Sequence, residues 1–428
     1  MNRQPNSEDK ESKPRSGTLL QSGIIFSAIS FLTGLGNLGF QAILGRHLKT
    51  SGDYGDANSA LGGLMMLLAL LPSVATLAVT HYIAHFKASG DHARLEGLLR
   101  GCRRFLFRIT LAGSVLAVIA AKPLSVFFHY GEKLMAVTLL CTLLGLWASF
   151  ATALCQGMAW FKRLALIGFL AMVLRVIFGW VITFKWPSAE TAVLASGFAL
   201  LAYLVLLFWR KELALHGEPI PPWNRELAHY FVISTAFVVG NFCFFQGDYL
   251  VAKKFFAGGE LDAYTAAGIL ARALPQTVAP LLIVLFTSRS GQRTGSIVSE
   301  QLKLIGLSGL ALVAGASGLF VLRVFCLKVL DKYSPAAAGM VGQFAITMVF
   351  VGLLQSLAYW ALGSRWIKIS LLYGVLGVGY WLALLFLGKT PADLLRVMPV
   401  VTGLAFAVVF SVWLVAMRSH KIGAPAAG

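Results

Sequence analysis

Twelve stretches of this chain are long and apolar enough to cross a bilayer, and that feature limits its fold more than any motif does. A spanning helix needs about 20 mostly apolar residues. The runs cover 18–44, 57–86, 105–121, 134–160, 164–184, 189–209, 229–254, 263–288, 302–327, 336–362, 366–387 and 395–417. Several exceed the minimum, so tilt or interfacial overhang is expected. Gly, Pro and charged residues fill the breaks, as helix ends require. Only 13% of the 428 residues are charged, where a soluble domain carries about 25%. The expected fold is an all-α polytopic membrane protein of about 12 transmembrane helices.

The loops give orientation and organisation. With the N-terminus inside, the segments on the inner side hold 21 Lys and Arg and the outer loops hold 10. That bias places both termini in the cytoplasm and the chain in the cytoplasmic membrane. Residues 1–16 read as a disordered cytoplasmic tail and 418–428 as a second tail. The Pro-rich segment 210–228 follows six helices and reads as a cytoplasmic linker. It divides the chain into six-helix bundles over 17–209 and 229–417. "LLPSVATLAV" (70–79) and "ALPQTVAPLL" (273–282) both put Leu-Pro in the second helix of a half, as a parallel repeat would. Segment 87–104 reads as the other long inner loop.

Several function classes are disfavoured. The net charge of +18 is spread over short loops, so nucleic acid is not an expected partner. Five scattered cysteines form no CxxC or CxxH, so neither a disulfide framework nor a zinc site is indicated. His81 and His85 lie one turn apart without a third ligand nearby, and read as interfacial. No GxxxxGK[ST] nucleotide loop occurs. Outer loops of about a dozen residues or fewer are too short to build an acid/base site. The reading is therefore not an enzyme, with no cofactor.

The charges inside the apolar runs carry most of the functional signal. Of the 18 Asp and Glu, seventeen fall in the tail, in loops or at helix ends, and only Asp248 falls inside a span, in "NFCFFQGDYLVAKKFF" (241–256). A carboxylate there costs about 3 kcal/mol or more. Arg175 and Arg272 also lie deep. Gly258 centres a hairpin turn, "FAGGEL", that sets Asp248 and Arg272 about one helical turn apart in depth, within an arginine's reach. The pair is either a structural bridge pinning two helices or part of a water-accessible cavity in which Asp248 exchanges a proton. Arg175, without an acidic partner in any run, calls for water, carbonyls or an anionic ligand. These residues suggest a cationic interior and an anionic cargo. Asn37, Gln41, Gln156, Asn241, Gln246, Gln276 and Gln355 read either as cavity lining or as interhelical hydrogen bonds.

Two stretches resemble the oligosaccharide flippases of the MOP superfamily, the Wzx-type polysaccharide biosynthesis membrane proteins related to lipid II flippases and MATE exporters. "AILGRHLKTSGDYGDANSALGGL" is similar to the family's Arg after the first helix and its Tyr-Gly leading into the second, here Arg46, Tyr54 and Gly55. "GDYLVAKKFFAGGELDAYTAAGILARALPQTVAPLLIVLF" matches at Asp248, Lys253, Tyr264, Ala267, Arg272 and Pro275. It departs at Asp262, where Gly is usual, and at Thr287, where Pro often follows the Phe. The resemblance implies two six-helix bundles around a central cavity that opens alternately to each side. It implies a polyprenyl-pyrophosphate-linked oligosaccharide as cargo. Taken with the buried charges, Arg46, Arg175 and Arg272 are the expected substrate-binding residues and Asp248 an ion-coupling or helix-pairing residue. The resemblance also brings in membrane lipids, glycosyltransferases and a polymerase as neighbours in polysaccharide or lipopolysaccharide biosynthesis. Two other readings stand beside it: a MATE-like small-molecule exporter, which would prefer an acidic cavity, and a non-transporting membrane subunit of a polysaccharide synthase.

Overall fold

The structure, a computed structural model, describes the backbone of residues 16–209, 225–290, 298–332, 334–364 and 366–422. Among these residues the chain forms helices and no strand. They run in the order α1 (Ser16–His47), α2 (Asp53–Leu68 and Leu70–Ser89), α3 (His92–Phe128), α4 (Glu132–Gly157), α5 (Phe161–Lys185), α6 (Ala189–Trp209) and α7 (Arg225–Phe245 and Gly247–Phe255). After them come α8 (Gly259–Ser290), α9 (Val298–Val329), α10 (Pro335–Gly363), α11 (Ile367–Leu387) and α12 (Pro391–Ile422). Among the described residues seven helices are long and apolar enough to span a membrane, or nine if each bent pair is one span. The chain is a multi-pass membrane protein.

The helices pair in a pattern that occurs twice. In the first half α1 packs on α5, α5 on α6, α6 on α4, and α4 on both α2 and α3. In the second half α7 packs on α11, α11 on α12, α12 on α10, and α10 on both α8 and α9. Between halves, α2 meets α7 and α1 meets α8, again as equivalent pairs. Close approach needs glycine at α7 and α11. A Cβ at Gly374 would sit 2.7 Å from the carbonyl oxygen of Ala236, and one at Gly377 would sit 2.7 Å from Cα of Gly240. Association in lipid relies on such backbone contact, because burying apolar surface gains little there.

Two sequence expectations need correction or lie beyond view. Segment 87–104 is not a loop. Gly90, with φ 71°, ends α2, and the Asp91 side chain accepts from the Arg94 backbone N–H at 3.0 Å to start α3. Leu95 and Leu99 are then buried with Ile83, Phe150 and Leu154. The charges on the other face hid this amphipathic extension from an apolar-run reading. Of the expected linker, 210–224 lies outside the described residues, and Arg225 already belongs to α7. Residues 1–15 and 423–428 of the expected tails also lie outside, while α12 continues through Ile422.

Two helices are broken. The arms of α2 diverge by 58° and those of α7 by 44°. In α2 a π-helical segment, Ala60–Leu64, precedes the break at Ala69. Pro72 has no N–H to offer the Leu68 carbonyl, which weakens the ladder there. In α7 the break falls at Gln246, followed by Gly247. The broken regions interlock across the halves: a Cβ at Gly62 would meet Tyr249 Cε2 at 2.7 Å and Gln246 Oε1 at 2.8 Å.

The α7–α11 contact gives a direct test. Gly377→Val should destabilise the protein by about 1–3 kcal/mol through overpacking, seen as a lower thermal midpoint in detergent. Gly379→Val, where a Cβ meets nothing within 4 Å, should leave the midpoint close to wild type.

Candidate functional site: a neutral cavity beside a buried ion pair

A cavity of about 420 Å³ lies between the two halves. Its floor is the broken part of α2 (Met65, Met66, Leu70, Ser73 and Thr76) together with Phe237, Asn241 and Phe242 of α7. Thr142, Gln156, Tyr203 and Tyr359 add hydroxyl and amide groups to an otherwise apolar wall. Gln156, Tyr203 and Tyr359 lie near the ends of α4, α6 and α10, so the cavity sits toward the end of the molecule that holds the α4–α5 and α10–α11 turns. At the opposite end, the α1–α2, α7–α8 and α9–α10 turns of the two halves are in contact. Among the described residues the lining contains no Asp, Glu, Lys or Arg.

The intramembrane charges lie elsewhere. Asp248 is fully buried and Arg272 nearly so. Nη2 of Arg272 donates to Oδ1 and Oδ2 of Asp248 at 2.6 and 2.5 Å. Tyr264, itself buried, donates its hydroxyl to Oδ2 at 2.8 Å. Arg272 lies over the Tyr249 ring, 3.8 Å from its centroid. Gly268 makes room for the guanidinium, since a Cβ there would collide with Nη1.

The α7 break explains why these charges are present. Phe245 ends the first arm, and its carbonyl has no helical partner beyond the break. Nε of Arg272 donates to that oxygen at 2.8 Å. Asp248 occupies the first turn of the second arm. A cation thus sits at a helix C-terminus and an anion at a helix N-terminus, each opposing the local dipole. Nε1 of Trp381 donates to the Gly247 carbonyl at 3.0 Å and satisfies another backbone group beside the break.

Arg175 is half-buried in the first half. Nε donates to Ser196 Oγ at 3.0 Å and Nη1 to Asn37 Oδ1 at 3.2 Å. Its guanidinium also lies 4.3 Å from the centroid of the Phe40 ring. Neutral acceptors and an aromatic face therefore replace the acidic partner that the sequence lacks. Arg46 is exposed in the last turn of α1. The structure brings Asp248 and Arg272 together, but it does not gather Arg46, Arg175 and Arg272 around one space, and none of the three lines the cavity. Gln156 and Asn241 do line it, and Asn241 Oδ1 accepts from Gln355 Nε2 at 2.7 Å. Tyr203, Tyr359, Thr142 and Thr76 were not singled out from sequence. Neutral polar residues occur in most of the helices, and their spacing alone does not reveal which of them converge. Among the described residues no group of three metal-ligating side chains occurs.

Breaking a buried pair leaves an uncompensated charge, at a cost of about 3–5 kcal/mol. Asp248→Asn and Arg272→Gln should each lower stability by that order in detergent unfolding. The double variant Asp248→Asn with Arg272→Gln should recover much of the loss. Equal, additive losses would show that the two residues act separately.

No protein-family profile matches this chain, and no curated protein matches it in sequence. Solved structures do match over nearly the whole length. A MATE transporter in complex with MaD3S is 11% identical, with 95% of this chain and 96% of that chain covered and a TM-score of 0.68. An outward-facing multidrug resistance MATE family transporter of the MOP superfamily is 10% identical, with coverage of 95% and 96% and a TM-score of 0.66. A MOP superfamily transporter from Pyrococcus furiosus, described as having a binding pocket of reversed polarity, is 11% identical, with coverage of 92% and 94% and a TM-score of 0.65. The chain thus shares its overall fold with the MATE transporters.

Proposed function

We propose that the protein is an alternating-access transporter of the MOP superfamily, and that its cargo is a lipid-linked oligosaccharide moved across the cytoplasmic membrane. The observation that carries this reading is the character of the cavity wall. Hydroxyls of Ser73, Thr76, Thr142, Tyr203 and Tyr359 and amides of Gln156 and Asn241 sit among apolar side chains, with no charged residue among the described ones. Sugar hydroxyls are recognised by such groups, and aromatic faces suit the apolar faces of sugar rings. An organic cation would lack a carboxylate partner there.

The phosphates of such a cargo need a separate cationic contact. Lys162 and Arg163 open α5 just after the α4–α5 turn, and Lys87 donates to the Met158 carbonyl at 2.8 Å in that turn. These cations lie at the end of the molecule toward which the cavity sits, the side assigned to the cytoplasm by loop charge. In this conformation Arg175 and Arg272 are occupied by protein partners, and we assign them positioning roles within their own halves.

The second reading, a MATE-like small-molecule exporter, is favoured by the solved structures that share the fold. The two readings separate in proteoliposomes. The purified protein should translocate a fluorescent polyprenyl-pyrophosphate saccharide, measured by loss of signal to an impermeant quencher. Gln156→Leu and Asn241→Leu should each slow it by about tenfold, the effect of one or two lost hydrogen bonds. Transport of a cationic dye with no movement of any polyprenyl-linked saccharide would overturn the flippase reading in favour of the exporter.

A further inference from the structure

The second helix begins without a cap of its own. Gly52 precedes it in the left-handed region, with φ 98° and no side-chain cap. The first N–H groups of such a helix need acceptors from elsewhere. The Asp53 N–H finds a local one in the Thr50 carbonyl at 3.2 Å, and the other half of the protein supplies acceptors for Gly52 and Gly55. Oδ1 of Asp262 accepts from the Gly55 backbone N–H at 2.7 Å, and Oδ2 accepts from that of Gly52 at 3.3 Å. Asp262 itself lies in the first turn of α8, so its carboxylate faces two helix N-termini at once.

Three further contacts surround this one. Nζ of Lys332, in the α9–α10 turn, lies 3.8 Å from Oδ2 of Asp262 and donates to the Leu48 carbonyl at 3.1 Å, beyond the end of α1. Lys253 at the end of α7 pairs with Asp56 in α2 and lies over the Tyr130 ring. The two turns also abut: a Cβ at Gly52 would lie 3.5 Å from Cα of Gly258, which is left-handed too, with φ 57°. Asp262 and both lysines are largely shielded from solvent. The Lys49–Asp331 pair is exposed and adds little.

We propose that Asp262 is the keystone of a latch that holds the two halves together at the end opposite the cavity. Its carboxylate caps α2 across the interface, Lys332 clamps that carboxylate to the end of α1, and the Lys253–Asp56 pair forms the second point of closure. Parting the halves strips α2 of its cap, Lys253 of Asp56, and Lys332 of the Leu48 carbonyl, while Lys332 keeps Asp262. The latch therefore sets the ratio of closed to open forms at this end. It depends on contacts between the halves and not on the identity of the cargo. A glycine at position 262 provides neither the cap nor the clamp, so the departure of Asp262 from the flippase pattern acquires a physical role.

The test reads distance and needs no transport. Spin labels at Lys133→Cys and Glu260→Cys, both exposed and outside the latch, report separation between the halves. Labels at Lys133→Cys and Pro187→Cys report on the first half alone. The full-length protein is used in lipid nanodiscs, with the partly exposed Cys102 and Cys326 changed to Ala. The wild-type background should give one short distance between halves. Asp262→Ala should add a longer one, raising the open-to-closed ratio by about fivefold or more, as loss of a helix cap would. Asp262→Asn keeps an acceptor oxygen but loses the charge, and should give a smaller rise. A bridge between Ser51→Cys and Gly259→Cys, formed before labelling, should remove the longer distance from Asp262→Ala; a Cβ at Gly259 would lie 3.9 Å from Ser51 Oγ. An unchanged distribution in Asp262→Ala would overturn the proposal. So would equal broadening of the Lys133–Pro187 control, which would mark a general loss of fold.

Discussion

A helix broken inside a membrane exposes backbone groups that lipid cannot satisfy, and much of this structure answers that constraint. The break in α7 leaves the Phe245 carbonyl without a helical donor and starts a new helix at Gly247. Arg272 supplies the donor and Asp248 supplies negative charge at the new N-terminus. Their ion pair makes both charges tolerable at depth. Tyr264, Tyr249 and Trp381 then complete the network and tie it to neighbouring helices. Without these groups the bend would cost several kcal/mol for each unsatisfied backbone group.

The bend places the cavity. The broken region of α7 packs into that of α2, where Gly62 and Gly63 allow Gln246, Tyr249 and Leu250 to approach. That contact divides the space between the halves. On one side is the neutral cavity, and on the other is the set of cross-half contacts at Asp262, Lys332 and Lys253. The two halves use the same helix pairings, and the main contacts between them also come in equivalent pairs. Rocking one half against the other would exchange these contacts without unpacking either bundle.

The separation of charge from cavity bears on the cargo. A buried ion pair closed on itself presents little field to the space beside it, and Arg175 is similarly occupied by Asn37, Ser196 and Phe40. What remains on the wall is hydroxyl, amide, aromatic and aliphatic surface. Such a wall offers shape and neutral hydrogen-bonding groups, with no charge among the described residues.

Sequence alone determined the broad architecture, because length and hydropathy leave few options in a bilayer. Twelve apolar runs gave the helix order, and the hairpin around Gly258 put Asp248 and Arg272 at nearly matched depth. The same method missed the first three turns of α3, because an amphipathic extension beyond the lipid carries charge on one face while Leu95 and Leu99 are buried on the other. It also offered no means of deciding which polar residues converge. Hairpin depth offered Asp248 a partner in Arg272 and left Arg175 without one. Only the tertiary structure placed the pair at a helix break and gave Arg175 a neutral amide, a hydroxyl and an aromatic ring. The Asp262 cap joins residues 210 positions apart, and the cavity wall joins residues from Met65 to Tyr359. Their meeting depends on how two six-helix units pack, and local pattern carries no record of that packing.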